Sequence, residues 1–260
     1  MRRIVVKVGS STLTYQTGLI NIRHLERLCR VLSDLRNAGN EILLVSSGAV
    51  AVGMGVLGLR ERPREITMRQ AAAAVGQCEL MDLYSNAFGE YNHTVAQILL
   101  TRDVVENETR ASNVRRAIEN LLTLGVIPIF NENDTVSVEE LEALTNFGDN
   151  DTLSAIVAGL AKADLLMLLS DIDGLYDSDP HRNPNAALIP VVGQVTQELY
   201  EAAGGAGSSV GTGGMTTKLH AAEIAAANGC DMVILNGSHP ELMYDCLEGK
   251  PVGTLFRGRQ

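Results

Sequence analysis

Two lysines sit where a folded chain rarely leaves a cation without a partner. Lys7 closes the apolar run Ile4 to Val8, two residues before Gly9-Ser10-Ser11. A buried strand seldom carries an unpaired ammonium, so Lys7 either snorkels from a strand end or meets an anion. Lys218 follows Gly211-Thr212-Gly213-Gly214-Met215-Thr216-Thr217. Glycines, then a helix start with a lysine in its first turn, make up a phosphate cradle: close backbone approach, N–H donors and one ammonium. The pattern G-x-x-x-x-G-K-[ST] occurs nowhere, so this is not a Walker A loop. Polar clusters follow other apolar runs: Ser46-Ser47-Gly48-Ala49, Asn131-Glu132-Asn133-Asp134 and Ser170-Asp171-Ile172-Asp173-Gly174-Leu175-Tyr176. A further cluster, Gly148-Asp149-Asn150-Asp151, opens a helix, where Asp149 alone reads as an N-cap. Two Asn/Asp clusters at a strand end and a helix start read together as one shared polar site. Two lysines and glycine-rich turns suit phosphoryl transfer, which needs positioning and charge neutralisation more than covalent chemistry. No general base stands out, since His24, His93, His181, His220 and His239 are scattered without ligand spacing. An acceptor carboxylate, with a pKa of ~4.3, needs none, because it is already ionised at neutral pH.

The elements that must position these groups alternate between strand and helix. Ile4 to Val8, Glu41 to Val45, Thr94 to Leu100, Val126 to Phe130, Asp164 to Leu169 and Met232 to Leu235 read as strands. Asn21 caps a helix running to about Ala38, where Gly39 stops it. Thr67 to Phe88, Asn113 to Leu124, Asp151 to Lys162 and Met215 to Asn228 read as further helices. Pro128 hints at an edge or irregular position for its strand. Continuous apolar strands between helices predict an α/β fold, a three-layer αβα sandwich on a mainly parallel open sheet. Ligands of such sheets bind beyond the carboxyl ends of the strands, where the polar clusters lie. Gly53-Met54-Gly55-Val56-Leu57-Gly58 fits G-x-G-x-x-G, but seven residues separate it from Val45 and the acid at fitting distance, Glu79, falls mid-helix. It is not read as a dinucleotide fingerprint.

The chain has 260 residues, which at roughly 150 per domain allows one large domain or two small ones. Its net charge of −10 argues against affinity for nucleic acid or anionic membranes. The absence of Trp argues against stacking platforms. Cys29, Cys78, Cys230 and Cys246 form no C-x-x-C pair and read as small apolar fillers. No metal ligand set is expected. The chain opens directly on a strand and holds no apolar run near the ~18 residues of a span, so a cytoplasmic location is expected.

The motifs V-K-V-G-S-S (Val6 to Ser11), V-S-S-G-A (Val45 to Ala49), N-E-N-D, G-D-N-D, S-D-I-D-G-L-Y and G-T-G-G-M-T-T-K together resemble the amino-acid kinase family. The N-E-N-D and G-D-N-D pair points to its branch that phosphorylates the γ-carboxylate of L-glutamate with ATP, the first step towards proline. Members acting on carbamate, acetylglutamate or uridylate look less similar there. The resemblance implies that Ser47, Asp134 and Asn150 hold glutamate. Lys7 and Lys218 would neutralise the phosphoryl group, with Asp151 orienting both. Ser170, Asp171, Thr212, Gly213, Gly214, Met215, Thr216, Thr217 and Lys218 would line the ATP site together with Lys7. It further implies Mg²⁺ carried on ATP, proline as feedback inhibitor and a homo-oligomer. The kinase domain is expected over residues 1–256, its N-terminal part binding glutamate and its C-terminal part ATP, with a tail at 257–260. No room is expected for the C-terminal PUA-type domain that many such kinases carry. Alternatives are another member acting on a different carboxylate or carbamate, or a non-catalytic nucleotide-binding module.

Overall fold

The structure, a computed structural model, describes residues 1–258 apart from 16, 102, 137–148, 179, 181, 182, 184 and 205–213. The strands β1 (Arg3–Val8), β2 (Glu41–Ser46), β3 (Val95–Leu100), β4 (Ile127–Glu132), β5 (Leu165–Ser170), β6 (Val191–Val192), β7 (Asp231–Asn236) and β8 (Thr254–Phe256) form one sheet. Its order is β3-β4-β2-β1-β5-β7-β8-β6. All neighbours pair in parallel except β7 and β8. The main helices are α1 (Ser10–Leu13), α2 (Ile22–Asn37), α3 (Ala49–Leu57), α4 (Ile66–Gly89), α5 (Asp103–Glu106), α6 (Glu108–Thr123), α7 (Asn150–Ala161), α8 (Gln197–Gly204), α9 (Met215–Ala227) and α10 (Leu242–Leu247).

Strand alternation decides which layer each site residue meets. Ile4, Val6 and Val8 of β1 belong to one core with α2, α4 and α10, while Val5 belongs to the other with α6, α7 and α9. Lys7 has the parity of Val5, so its stem runs on the α7 side. The helices of that side approach closely because they meet through alanines. Ala155, Ala158 and Ala161 of α7 and Ala221, Ala222 and Ala225 of α9 are all buried in the same core.

Three expectations from the sequence change. Pro128 lies in β4, an interior strand between β3 and β2, and not at an edge. The N–H groups of Ile127 and Asn133 bond to Thr94 and Leu100 on the β3 side. The missing N–H of Pro128 would therefore face β2, where pairing begins only at Ile129. The pairing of β4 with β2 thus starts just after the proline. The helix expected from Asn113 begins at Glu108, because the Asn107 side chain caps it by accepting from Arg110 N–H. Cys78 is exposed on α4, so it is no core filler, whereas Cys29 and Cys230 are buried.

The glycine pattern at Gly53 to Gly58 has a packing cause. A Cβ at Gly53 would lie 1.8 Å from the Ala72 carbonyl oxygen of α4, and one at Gly76 would lie 1.9 Å from that of Ala49. Backbone meets backbone where α3 crosses α4, so only glycine fits at either point.

Candidate active site

The site gathers at the carboxyl ends of β1, β2, β4 and β5, against the N-termini of α7 and α9. Asp151, in the first turn of α7 and fully buried, is its centre. Lys7 Nζ lies 2.6 Å from Asp151 Oδ1 and Lys218 Nζ 3.0 Å from Oδ2. The Thr217 hydroxyl lies 3.1 Å from Asp151 Oδ2 and 2.7 Å from the Gly214 carbonyl oxygen. Both lysines are buried, at 8% and 5% exposure. Burial pushes the Asp151 carboxyl up, but the two ammonium groups outweigh it through charge and hydrogen bonds and hold it at about 2. A carboxylate suits a helix N-terminus, whereas the cation of Lys218 in the first turn of α9 opposes the helix dipole. Asp151 offsets that cost.

Asp149 is the α7 N-cap, its Oδ1 accepting from the Asp151 N–H at 3.2 Å. Its Oδ2 is buried and has no hydrogen-bond partner among the described residues. Burial, then repulsion from Asp151, raises its pKa.

Beside this charged cluster runs an amide cluster. Asn150 Nδ2 donates to Ser47 Oγ at 2.8 Å and faces Asn131 Oδ1 at 3.5 Å. The motifs N-E-N-D and G-D-N-D therefore meet through Asn131 and Asn150, while Asp149 also caps. Ser47 is held by its N–H to the Val8 carbonyl at 3.2 Å, and Gly48 takes φ +97°, a turn open to glycine. The preceding Ser46 hydroxyl meets the buried Tyr84 hydroxyl at 2.9 Å. Asp134 lies on the wall of a cavity of about 380 Å³ with Gln77, Gln97, Glu132 and Asn133. Ser170 ends β5, its hydroxyl donating to Asp171 Oδ1 at 3.1 Å. Asp171 borders a second cavity of about 400 Å³ that also reaches Ser11, Arg23 and Arg27. Gly214 is the N-cap of α9, followed by Met215 and Thr216. Gly148, Thr212 and Gly213 lie outside the described residues.

The amino acid kinase family's sequence model matches residues 2–236. The chain belongs to the amino acid kinase family. Relatives within it are a glutamate 5-kinase of Clostridium perfringens, 55% identical over 98% of this chain and 95% of that one. Another is a glutamate 5-kinase of Listeria welshimeri, 53% identical over 100% of this chain and 94% of that one. Among solved structures, a UMP kinase of Bacillus anthracis matches with TM-score 0.67 and 16% identity over 100% of this chain and 97% of that one. An isopentenyl phosphate kinase of T. acidophilum matches with TM-score 0.64 and 17% identity over 98% and 100%. These last two share the amino acid kinase fold. No helix among the described residues is long and apolar enough to cross a membrane.

Sequence reasoning passed over two contributors from α4 to this amino acid kinase site. Tyr84 reads as one more apolar residue of an Ala-rich helix. Gln77 reads as part of that helix's polar face, and its Oε1 accepts from Asn131 Nδ2 at 2.8 Å. Neither stands in a motif, and only the crossing of α4 over the strand ends brings them in.

Proposed function

We propose that this chain transfers the γ-phosphoryl group of ATP to the γ-carboxylate of L-glutamate, giving L-glutamyl 5-phosphate, the first step towards proline. One observation carries the reading. Two adjacent residues at the start of α7 face two halves of one reaction: Asn150 binds Ser47, and Asp151 holds Lys7 and Lys218. A phosphoryl group lying on the lysines is thereby set beside an acceptor lying on the amide cluster, which is the positioning this chemistry needs.

In this reading Ser47, Asp134 and Asn150 hold glutamate, with Asp134 pairing the α-ammonium. Ser170, Asp171 and residues 212–218 line the ATP site. Lys7 and Lys218 neutralise charge on the phosphoryl group as it passes between oxygens. Asp151 orients both lysines and stays ionised, so it is neither acid nor base. The acceptor is already an anion, and no base is required. Among the described residues no group of three or more His, Cys, Asp or Glu is gathered to hold a metal ion. In this reading Mg²⁺ enters on the ATP phosphates with its waters and adds charge neutralisation there. Residues 1–256 form the kinase domain in this reading. Proline feedback and a homo-oligomeric assembly, both implied by the family resemblance, and the cytoplasmic location expected from the sequence complete it.

The test is a panel of L-glutamate, L-aspartate, N-acetyl-L-glutamate and carbamate, each with ATP and Mg²⁺ and with or without proline. ADP release is followed, and the acyl phosphate is trapped with hydroxylamine. Glutamate is expected to give both ADP and a hydroxamate, and proline to suppress both. Turnover confined to another acceptor overturns the reading.

A further inference from the structure

We infer that Gln77, on α4 and outside every sequence motif, supplies the acceptor that holds the hydrogen-bond line presenting Ser47 to the substrate in one polarity. The inference rests on the glutamate reading of this site. Four side chains form a line: Gln77 Oε1 accepts from Asn131 Nδ2 at 2.8 Å, Asn131 Oδ1 faces Asn150 Nδ2 at 3.5 Å, and Asn150 Nδ2 donates to Ser47 Oγ at 2.8 Å. An amide turned end for end keeps its shape but exchanges donor for acceptor. Something must therefore fix the polarity of the line.

The fixed point is a backbone group. The N–H of Glu132 donates to Asn131 Oδ1 at 2.9 Å, and a backbone N–H can only donate. The oxygen of Asn131 is thus committed on that side, and its NH₂ group points to α4. There it requires an acceptor, which Gln77 Oε1 supplies. The same Asn131 oxygen turns the NH₂ group of Asn150 towards itself and Ser47. Ser47 Oγ then accepts from Asn150, and its own hydrogen is left to donate. A hydroxyl that accepts from the protein and donates outwards suits a carboxylate oxygen. With the line inverted, Ser47 would spend its hydrogen on Asn150 and turn lone pairs to an anion.

Asn131 is 2% exposed and Ser47 7%, so little water is at hand to compensate a wrong polarity. Gln77 itself touches no reacting atom. It is a positioning residue, acting through Asn131 and Asn150.

The experiment is a double-mutant cycle in steady-state kinetics on the full chain: Gln77→Leu, Ser47→Ala and both together. Gln77→Leu removes the acceptor and keeps most of the bulk. It is expected to raise KM for glutamate about five- to tenfold, the effect of one buried neutral hydrogen bond, with kcat and KM for ATP changed less than about twofold. The double variant is expected to be no worse than Ser47→Ala alone, since Gln77 works through that hydroxyl. Additive effects overturn the inference. So does an unchanged KM for glutamate, or an equal change in kcat and both KM values. Should Gln77→Leu fail to fold, Gln77→Met enters the same cycle with the same expectations. Wild-type turnover of glutamate is read first. Its absence overturns the proposed function, whereas its presence with an unaffected Gln77 variant overturns the Gln77 inference alone.

Discussion

Two aspartates two residues apart have their pKa values shifted in opposite directions. Asp151 is held down at about 2 against its burial by Lys7 and Lys218, while Asp149 is pushed up by burial and by Asp151. A depressed carboxylate stabilises the fold fully above its unfolded pKa of ~3.9, and that contribution fades as pH falls towards 2. A raised carboxylate does the reverse: its cost is absent at low pH and grows as pH climbs from ~3.9 through the folded value. Asp149→Asn keeps an oxygen for the N-cap and removes the charge. Thermal melts between pH 4 and pH 8 are therefore expected to show the variant at or above wild type at pH 7, with the gap closing towards pH 4. A variant less stable at pH 7 by the same margin as at pH 4 would show that the Asp149 charge carries no net cost. The sequence disclosed half of this residue-scale balance. An Asp before a helix reads as a cap, and Asp149 is one. That its second oxygen is buried, with Asp151, Lys7 and Lys218 all acting on its charge, depends on distant segments that no local pattern reveals.

Helix α4 supports the amide cluster and the turn before it at three points: Gly76 lies under the Ala49 carbonyl, Tyr84 meets Ser46, and Gln77 meets Asn131. Gly76→Ala would place a methyl 1.9 Å from the Ala49 oxygen and 2.4 Å from Gly53 N. Both obstacles are backbone, so neither side can yield by changing a rotamer. Denaturant unfolding is expected to show a loss of about 1–3 kcal/mol, the cost of overpacking. The contrast lies on the same helix. A Cβ at exposed Gly89 meets nothing within 4 Å, and Gly89→Ala is expected to gain about 0.4–1 kcal/mol by restricting the unfolded chain. Equal effects at both positions would show that the α3–α4 crossing is looser than its geometry. Helix α4 has no side-chain cap and was readable from its alanine content, whereas α2 is marked by a cap and by periodicity. Asn21 accepts from His24 N–H and opens α2 as expected. The two-residue β6 and six-residue α10 were not readable, because neither is long enough to set a period, and each exists through its packing on β8 or β7. Gly53 and Gly76 lay open in the sequence, but one looked like part of a nucleotide motif, since close approach of a backbone and of a phosphate ask for the same residue.

At the scale of the molecule, assigning glutamate to the N-terminal part and ATP to the C-terminal part describes chain order more than structure. β1 pairs with β2 on one side and β5 on the other, so the first strand of the chain joins the two parts. Helix α7 lies across β1, β2, β4 and β5, and its first two residues belong to the amide and charged clusters in turn. The whole chain carries a net −10, yet the cleft pairs two lysines with Asp151, so whatever net positive charge it offers is local and, being buried, little screened by salt. A ligand on either cluster therefore ties down strands shared by both. Glutamate alone, at about a hundred times its Kd, adds about 2.7 kcal/mol to the folded state. For a chain of this size that is a rise of about 5–10 °C in Tm. Because β1 and α7 couple the parts, scanning calorimetry should record one transition moving as a whole. Two transitions, with glutamate moving only one, would mean that the parts unfold separately and that β1 does not join them energetically.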